Sequence, residues 1–206
     1  MSNLQLGQLG RTMGSSAASL GTVWNSAEKN AAWTLSSGDT VATLSSAVSA
    51  SVNGTNPHSS GKWYFEVLVG GTPDTGFPHS PSIGVCSPNE GSPTFVELGG
   101  GDASQWAYLR DGQKRFNGGL SAYGSSYGAT DVVMVALDLD NGKIWFGKNG
   151  TWQASGDPAA GTNQAYSSVS GPLVPTMTAN TGSPAGTLRA SSATCSYSPP
   201  SGFDHW

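Results

Sequence analysis

The chain has 206 residues, of which only 11% are charged, with nine Lys or Arg against thirteen Asp or Glu and a net charge of −4. That length suits one all-β domain large enough to fold without a metal or a disulfide. The scattered cations exclude a duplex-binding surface, no apolar run approaches the ~18 residues of a membrane span, and seven Trp, six Tyr and six Phe exclude a disordered chain.

Residues 1–21 are mostly Gly, Ser, Ala, Leu and Gln with the single charge of Arg11, too little apolar mass for a core. They read as a flexible arm or attachment segment, without the charged start and apolar core of a signal peptide, and the domain proper as residues 22–206. Trp33–Leu35 is a strand, followed by a turn at Ser36–Asp39. Thr40–Val52 is weakly strand-like, because Ser, Thr and Val dilute the helical preference of its Ala residues. Asn53–Gly61 carries Asn-Gly and Asn-Pro and reads as a loop. Lys62–Val69 is the first strong strand, with Trp63, Phe65, Val67 and Val69 on one face and Tyr64, Glu66 and Leu68 on the other.

A Gly/Pro loop over Gly70–Pro81 leads to a short strand, Ser82–Cys86, and Ser87–Gly101 is a loop interrupted by Phe95-Val96. Trp106–Leu109 is a strand closed by a turn at Arg110-Asp111-Gly112, and Phe116 precedes Asn117-Gly118-Gly119. Asp131–Asp140 is the second strong strand, with Val133, Val135, Leu137 and Leu139 on one face. Asn141-Gly142 predicts a two-residue type I′ turn into Lys143–Lys148, whose Ile144 and Phe146 share a face, and Asn149-Gly150 turns the chain again. Leu173–Met177 and Thr187–Tyr197 are the closing strands, and no long amphipathic helix is predicted. Cys86 and Cys195 read as reduced thiols in a chain without a secretion signal.

Chemistry-bearing motifs are sparse. Asp138–Gly142 has the wrong spacing for a calcium loop, and a hairpin explains it better. Asp138 and Asp140 share a strand face, where a solvated strand end is preferred to a paired-carboxylate site. His58, His79 and His205 lack metal-ligand spacing, and no phosphate-cradling loop or nucleophile elbow is present, so neither metal nor cofactor is expected. The loop Ser121–Gly128 combines Tyr123 and Tyr127 with Ser and Gly, the mixture of rigid contact area and adaptable hydrogen bonding used by binding loops. Trp106, Tyr108 and Arg110 precede it, and the first two rings are as well suited to capping the core. These five residues are the candidate ligand-binding set, and no catalytic residue is assigned.

In combination these segments resemble the SPRY (B30.2-like) family. Gly61-Lys-Trp-Tyr-Phe-Glu-Val67 resembles its Gly-Lys-x-Tyr-x-Glu-Val strand, and Ile83-Gly84-Val85 its short Ile-Gly-Val strand. Asp131–Asp140, Gly142–Phe146 and Lys148-Asn149-Gly150 resemble its central hairpin, and Leu173-Val174-Pro175 its Leu-x-Pro element. Trp24–Asn30 with Leu35–Gly38, and Ser198–Phe203, are similar to SPRY modules of tailed-bacteriophage virions. Two departures are Thr130, where the family usually has Gly before Asp, and Gly147, where phage members often carry an aromatic.

The resemblance implies an antiparallel β-sandwich that works by binding and shares no catalytic residues to transfer. Its phage character implies a structural or recognition protein of the virion (tail, baseplate or capsid), assembled in the host cytoplasm. The expected partners are virion proteins or a host-surface glycan or protein, with self-association left open. A cellular peptide-binding adaptor is the alternative. A carbohydrate-active enzyme is a weaker one, since nothing in the sequence places Glu66 or Glu97 beside Asp102 or Asp111.

Overall fold

The chain's two longest apolar alternations pair with each other and set the architecture. The computed structural model describes residues 21–73, 77–89, 98–101 and 103–206. Residues 1–20 of the predicted arm, the Phe95-Val96 interruption, Glu97 and Asp102 lie outside those described residues. In chain order the strands begin with β1 (Trp24–Lys29), β2 (Trp33–Ser36), β3 (Val41–Leu44), β4 (Ala50–Gly54), β5 (Lys62–Pro73) and β6 (Ser82–Cys86). They continue with β7 (Gln105–Leu109), β8 (Gln113–Phe116), β9 (Gly119–Ala122), β10 (Val132–Asp138), β11 (Lys143–Lys148) and β12 (Thr151–Trp152). The last are β13 (Tyr166–Ser167), β14 (Val174–Ala179), β15 (Gly182–Arg189) and β16 (Asp204–His205). The helical turn Gln153–Ser155 is short, and among the described residues no helix is long and apolar enough to cross a membrane.

The strands form two sheets. One runs β1-β4-β14-β6-β7-β8-β9; the other runs β12-β11-β10-β5-β15-β3-β2, with β13 on β11 and β16 on β5. The β5–β10–β11 register places Phe65 opposite Val135 and Val135 opposite Phe146. Phe65, Val67, Val133, Val135, Leu137, Ile144 and Phe146 are buried between the sheets with Trp24, Trp33 and Trp106, and Trp63 packs half-buried at the margin. The period-2 reading of the core is therefore correct. The other face of β5 and β10 is buried as well, since Tyr64, Met134, Ala136 and Trp145 form a second cluster capped by Phe203.

Four local expectations are corrected. The β10–β11 connection is not a two-residue turn: Asp138 pairs with Lys143, leaving four residues between, and of Asn141 and Gly142 only Gly142 has positive φ. Asp138 drives this geometry by accepting the Asn141 backbone N–H at 3.0 Å and its side-chain amide at 2.9 Å. The two-residue turns with both φ values positive are Asn117-Gly118 and Asn149-Gly150, as type I′ geometry requires. Asp138 is also not solvated: its side chain is 2% exposed and pairs with Lys62 at 2.9 Å, while Asp140 accepts the Gly61 N–H at 2.7 Å.

Thr40–Val52 is two strands, β3 and β4, which belong to different sheets. The closing strand starts at Gly182 and stops at Arg189, because the buried Glu66 carboxyl pulls the following segment across the sheet. Cys86 and Cys195 form no disulfide with each other and lie in separate apolar clusters. The two departures from the family pattern also have local consequences. Thr130 takes φ +75°, a conformation that favours glycine. Gly147 leaves space for the Trp152 ring, which a Cβ there would approach to 3.0 Å.

Candidate functional site

The β7–β8 turn and the segment after β9 meet at one end of the sandwich. Gly112 makes this possible, since its φ is +92° and a Cβ there would strike the Gly124 carbonyl oxygen. In that close approach the Gly112 carbonyl accepts the N–H groups of Tyr123 at 3.1 Å and Gly124 at 2.8 Å. The loop is then fastened along its length. Ser125 N–H donates to Gln153 Oε1 at 2.8 Å, the Lys148 ammonium donates to the Ser126 carbonyl at 2.7 Å, and Tyr127 N–H donates to the Arg110 carbonyl at 2.8 Å. Gly128 N–H donates to Asp131 at 2.9 Å, and Asp131 also pairs with Lys148 at 3.2 Å. Burial pushes the Asp131 carboxyl up, but Gly128 N–H, the Asn149 amide and Lys148 outweigh it and hold the group below the usual carboxylate range.

The candidate aromatics are not on the surface of this loop. Trp106 is 2% exposed, Tyr108 0% and Tyr127 4%, so the expectation of rings displayed to a ligand is corrected for Trp106 and Tyr108, and Tyr127 reaches the surface only by a small margin at a pocket wall. Trp106 stacks on Phe116 at 5.2 Å and Tyr108 on Phe146 at 5.8 Å. The cause is position: β7 is an interior strand, so its alternate side chains enter the core. The hydroxyls pose no obstacle to burial because each finds a backbone acceptor. Tyr127 Oη lies 2.9 Å from the carbonyls of both Pro81 and Tyr108, and Tyr108 donates to the Ser125 carbonyl. Tyr123 is half-buried, its hydroxyl 3.3 Å from the Phe146 carbonyl and its ring edge-on to Tyr108 and Phe146. Burial pushes all three tyrosines up, Tyr123 to about 12, so they remain protonated donors at neutral pH.

Of the five candidates, Arg110 is accessible, half-buried and donating from Nη2 to the Phe77 carbonyl at 3.0 Å. With Asp111, Ser126, Tyr127 and Pro78 it lines an open pocket of about 270 Å³. Asp111 is held from several sides: His79 Nδ1 lies 2.9 Å from Oδ2, Gln113 Nε2 donates to Oδ2 at 2.7 Å, and Gln113 N–H donates to Oδ1 at 3.1 Å. Phe77, at the pocket's margin, is 43% exposed. Ser126 falls within the Ser121–Gly128 loop and Asp111 within the turn after Trp106–Leu109 that the sequence singled out, whereas Phe77 and Pro78 lie outside both segments. An aromatic inside the Gly/Pro loop Gly70–Pro81 was the available signal for Phe77.

A second pocket, of about 300 Å³, is lined by Thr22, Asn56, His58, Trp63, His205 and Trp206. His58 stacks on Trp63 at 3.5 Å, and burial holds its imidazole below the ordinary value. Here both indole N–H groups are spent internally, Trp63 on the Ser60 carbonyl and Trp206 on the Asn56 carbonyl, and Thr22 Oγ1 donates to the Trp206 carbonyl. The arrangement seals the seam where the two ends of the domain meet.

Of the acids weighed for hydrolysis, Glu97 and Asp102 lie outside the described residues, and the two that are described, Glu66 and Asp111, are each held by other partners. Glu66 is buried and bonded to Tyr64, Ser196 and Tyr197, far from the ion pair that holds Asp111. Among the described residues no three His, Cys, Asp or Glu side chains are grouped to hold a metal.

The SPRY domain family model matches residues 62–188. The SPRY domain of human HERC1 shares the fold with a TM-score of 0.64 at 18% identity, over 81% of this chain and 96% of that one. Stonustoxin matches with a TM-score of 0.60 at 17% identity, over 82% of this chain and 27% of that one. No curated protein matches the sequence.

Proposed function

The chain belongs to the SPRY domain family, a family of protein-binding modules, and from that premise we propose that it grips a partner protein at the pocket beside Arg110 and Asp111. The observation that carries the reading is a pre-formed, fastened rim around an open pocket, with an exposed Phe77 beside it. A rim already held by its own hydrogen bonds loses little conformational entropy on binding, and that cost otherwise consumes much of the interaction energy. Arg110 and Asp111 supply opposite charges, and the exposed Phe77, whose carbonyl accepts from Arg110, supplies an aromatic anchor next in sequence to the lining residue Pro78, a combination that suits a polar peptide with one apolar side chain.

The virion is the favoured setting. Its support is the likeness of Trp24–Asn30 and Ser198–Phe203 to phage modules, with residues 1–21 as the attachment segment and residues 22–206 as the module. A cellular adaptor would use the same pocket. The partner is tested by panning the immobilised full chain against a random peptide library and measuring the selected peptides by calorimetry. Loss of binding on Phe77→Ala and on Asp111→Asn supports the pocket; undiminished binding in both variants overturns it. The setting is tested by probing purified particles with antibody against the chain, and absence from the particles removes the virion reading.

A further inference from the structure

Strand β9 is an open edge with a self-complementary register. Among the described residues it closes the seven-stranded sheet and pairs with β8 alone, and all four of its residues are exposed, Leu120 at 44%. The ends of the two sheet paths at β2, β12 and β1 are guarded. At β2 the Trp33 carbonyl is taken by the Lys29 ammonium at 2.8 Å, β12 is two residues long, and β1 carries a register shift together with Glu28 and Lys29. Edge β9 has no charge, no proline and no shift: Phe116, Arg115, Lys114 and Gln113 face Gly119, Leu120, Ser121 and Ala122 in unbroken order.

The phase of the ladder fixes which backbone groups are available. The two-residue turn Asn117-Gly118 makes Phe116–Gly119 a hydrogen-bonded pair, and such pairs alternate along an antiparallel ribbon. The Tyr123 N–H to Gly112 carbonyl bond, four residues along, agrees with that phase. Leu120 and Ala122 therefore turn their N–H and C=O groups away from β8. Because Phe116 packs against the core, Gly119 and Ser121 share its inner face, and Leu120 and Ala122 lie on the outer face.

We propose that β9 pairs antiparallel with β9 of a second copy of this chain, about a two-fold axis at Ser121. That register sets Leu120 against Ala122 of the second copy, and the symmetric pair likewise, giving four backbone hydrogen bonds. Leucine meets a methyl group, serine meets serine, and Gly119 leaves room beside Tyr123 of the second copy. No like charges are opposed directly. The Lys114 residues lie three strand spacings apart, about 14 Å, beyond the ~8–10 Å over which salt leaves such repulsion effective. Lys114 also leans inward, donating to the Ala165 carbonyl at 2.5 Å. The edge is short, so the contact falls below the ~1,200 Å² of a standard interface and the dimer is weak, forming where copies are concentrated.

Sedimentation equilibrium of the full chain from about 1 µM to about 1 mM tests this. The expected result is a weight-average mass that rises from 21.0 kDa toward double across the series. Ala122→Pro removes an outward N–H while leaving the β8 ladder whole, and Leu120→Lys places a charge at each edge; both should weaken association about tenfold or more. Ser121→Ala should associate like the parent. A mass that stays at 21.0 kDa throughout, or unchanged association in both Ala122→Pro and Leu120→Lys, overturns the proposal.

Discussion

The carboxyl of Glu66 accepts the backbone N–H of Ser196 at 2.7 Å, across 130 residues of sequence. The same carboxyl accepts Tyr197 N–H and the Tyr64 hydroxyl, both at 2.8 Å. It is buried, and it pins the segment that follows β15 to the outer face of the nine-stranded sheet. Three donors converge on a group that is costly to bury alone, so the segment and the carboxyl stabilise each other.

Glu66→Ala should lower stability by about 3 kcal/mol or more, since it strands buried donors as well as losing their bonds. Glu66→Gln keeps an acceptor and should cost less. Urea denaturation of the two variants checks the order; equal stability to the parent in both would show that the Ser196–Tyr197 segment is not held by this group.

Tyr127→Phe removes the hydroxyl that serves the Pro81 and Tyr108 carbonyls and should cost about 1–3 kcal/mol. Tyr127→Ala, which also opens a cavity under the rim, should cost about 3–5 kcal/mol. Both values come from chemical denaturation. A loop-surface role for this ring would instead leave stability unchanged in either variant.

Thr130→Gly should stabilise the domain by up to about 1 kcal/mol. A threonine at φ +75° carries left-handed strain of roughly 1–2 kcal/mol, and glycine relieves it while adding about 0.5–1 kcal/mol of unfolded-state entropy. The Thr130 N–H, which donates to the Val69 carbonyl at 2.8 Å, is kept in the variant. A lowered melting temperature would show that the Thr130 side chain supplies stabilisation exceeding the strain.

Acid should weaken the domain through Asp138 and Asp131. Burial raises the Asp138 carboxyl, but the Lys62 and Asn141 contacts outweigh it and hold it below its ordinary 3.8, and Asp131 is depressed likewise. A group with a depressed folded value contributes stability above its unfolded value and loses it as the pH falls through the folded one. Melting temperatures should therefore drop below about pH 4. Asp138→Asn should be destabilised at pH 7 by about 1.5–3 kcal/mol, with the gap to the parent narrowing toward pH 3. A gap that stays constant from pH 7 to pH 3 would remove Asp138 from the acid response.

Much of the scaffold was legible from local pattern. The alternation in Lys62–Val69 and in Asp131–Asp140 identified β5, β10 and their core faces, because a strand's side chains change sides at every residue. Asn149-Gly150 marked a tight turn because both positions need positive φ, and Asn117-Gly118 meets the same requirement. Alternation states which residues share a face, however, and not what covers that face. Whether Tyr64, Glu66 and Asp138 met water or protein depended on the C-terminal segment and the Lys62 pair, contacts made across the sheet. The same limit governed the binding loop. Tyr123 and Tyr127 have the composition of surface contacts, yet the carbonyls of Phe146, Pro81 and Tyr108 draw their hydroxyls inward, and only the folded arrangement brings those acceptors within reach. The pocket fell to Arg110, Asp111 and Pro78 for that reason: packing two sheets decides which polar groups are satisfied inside and which are left at the rim.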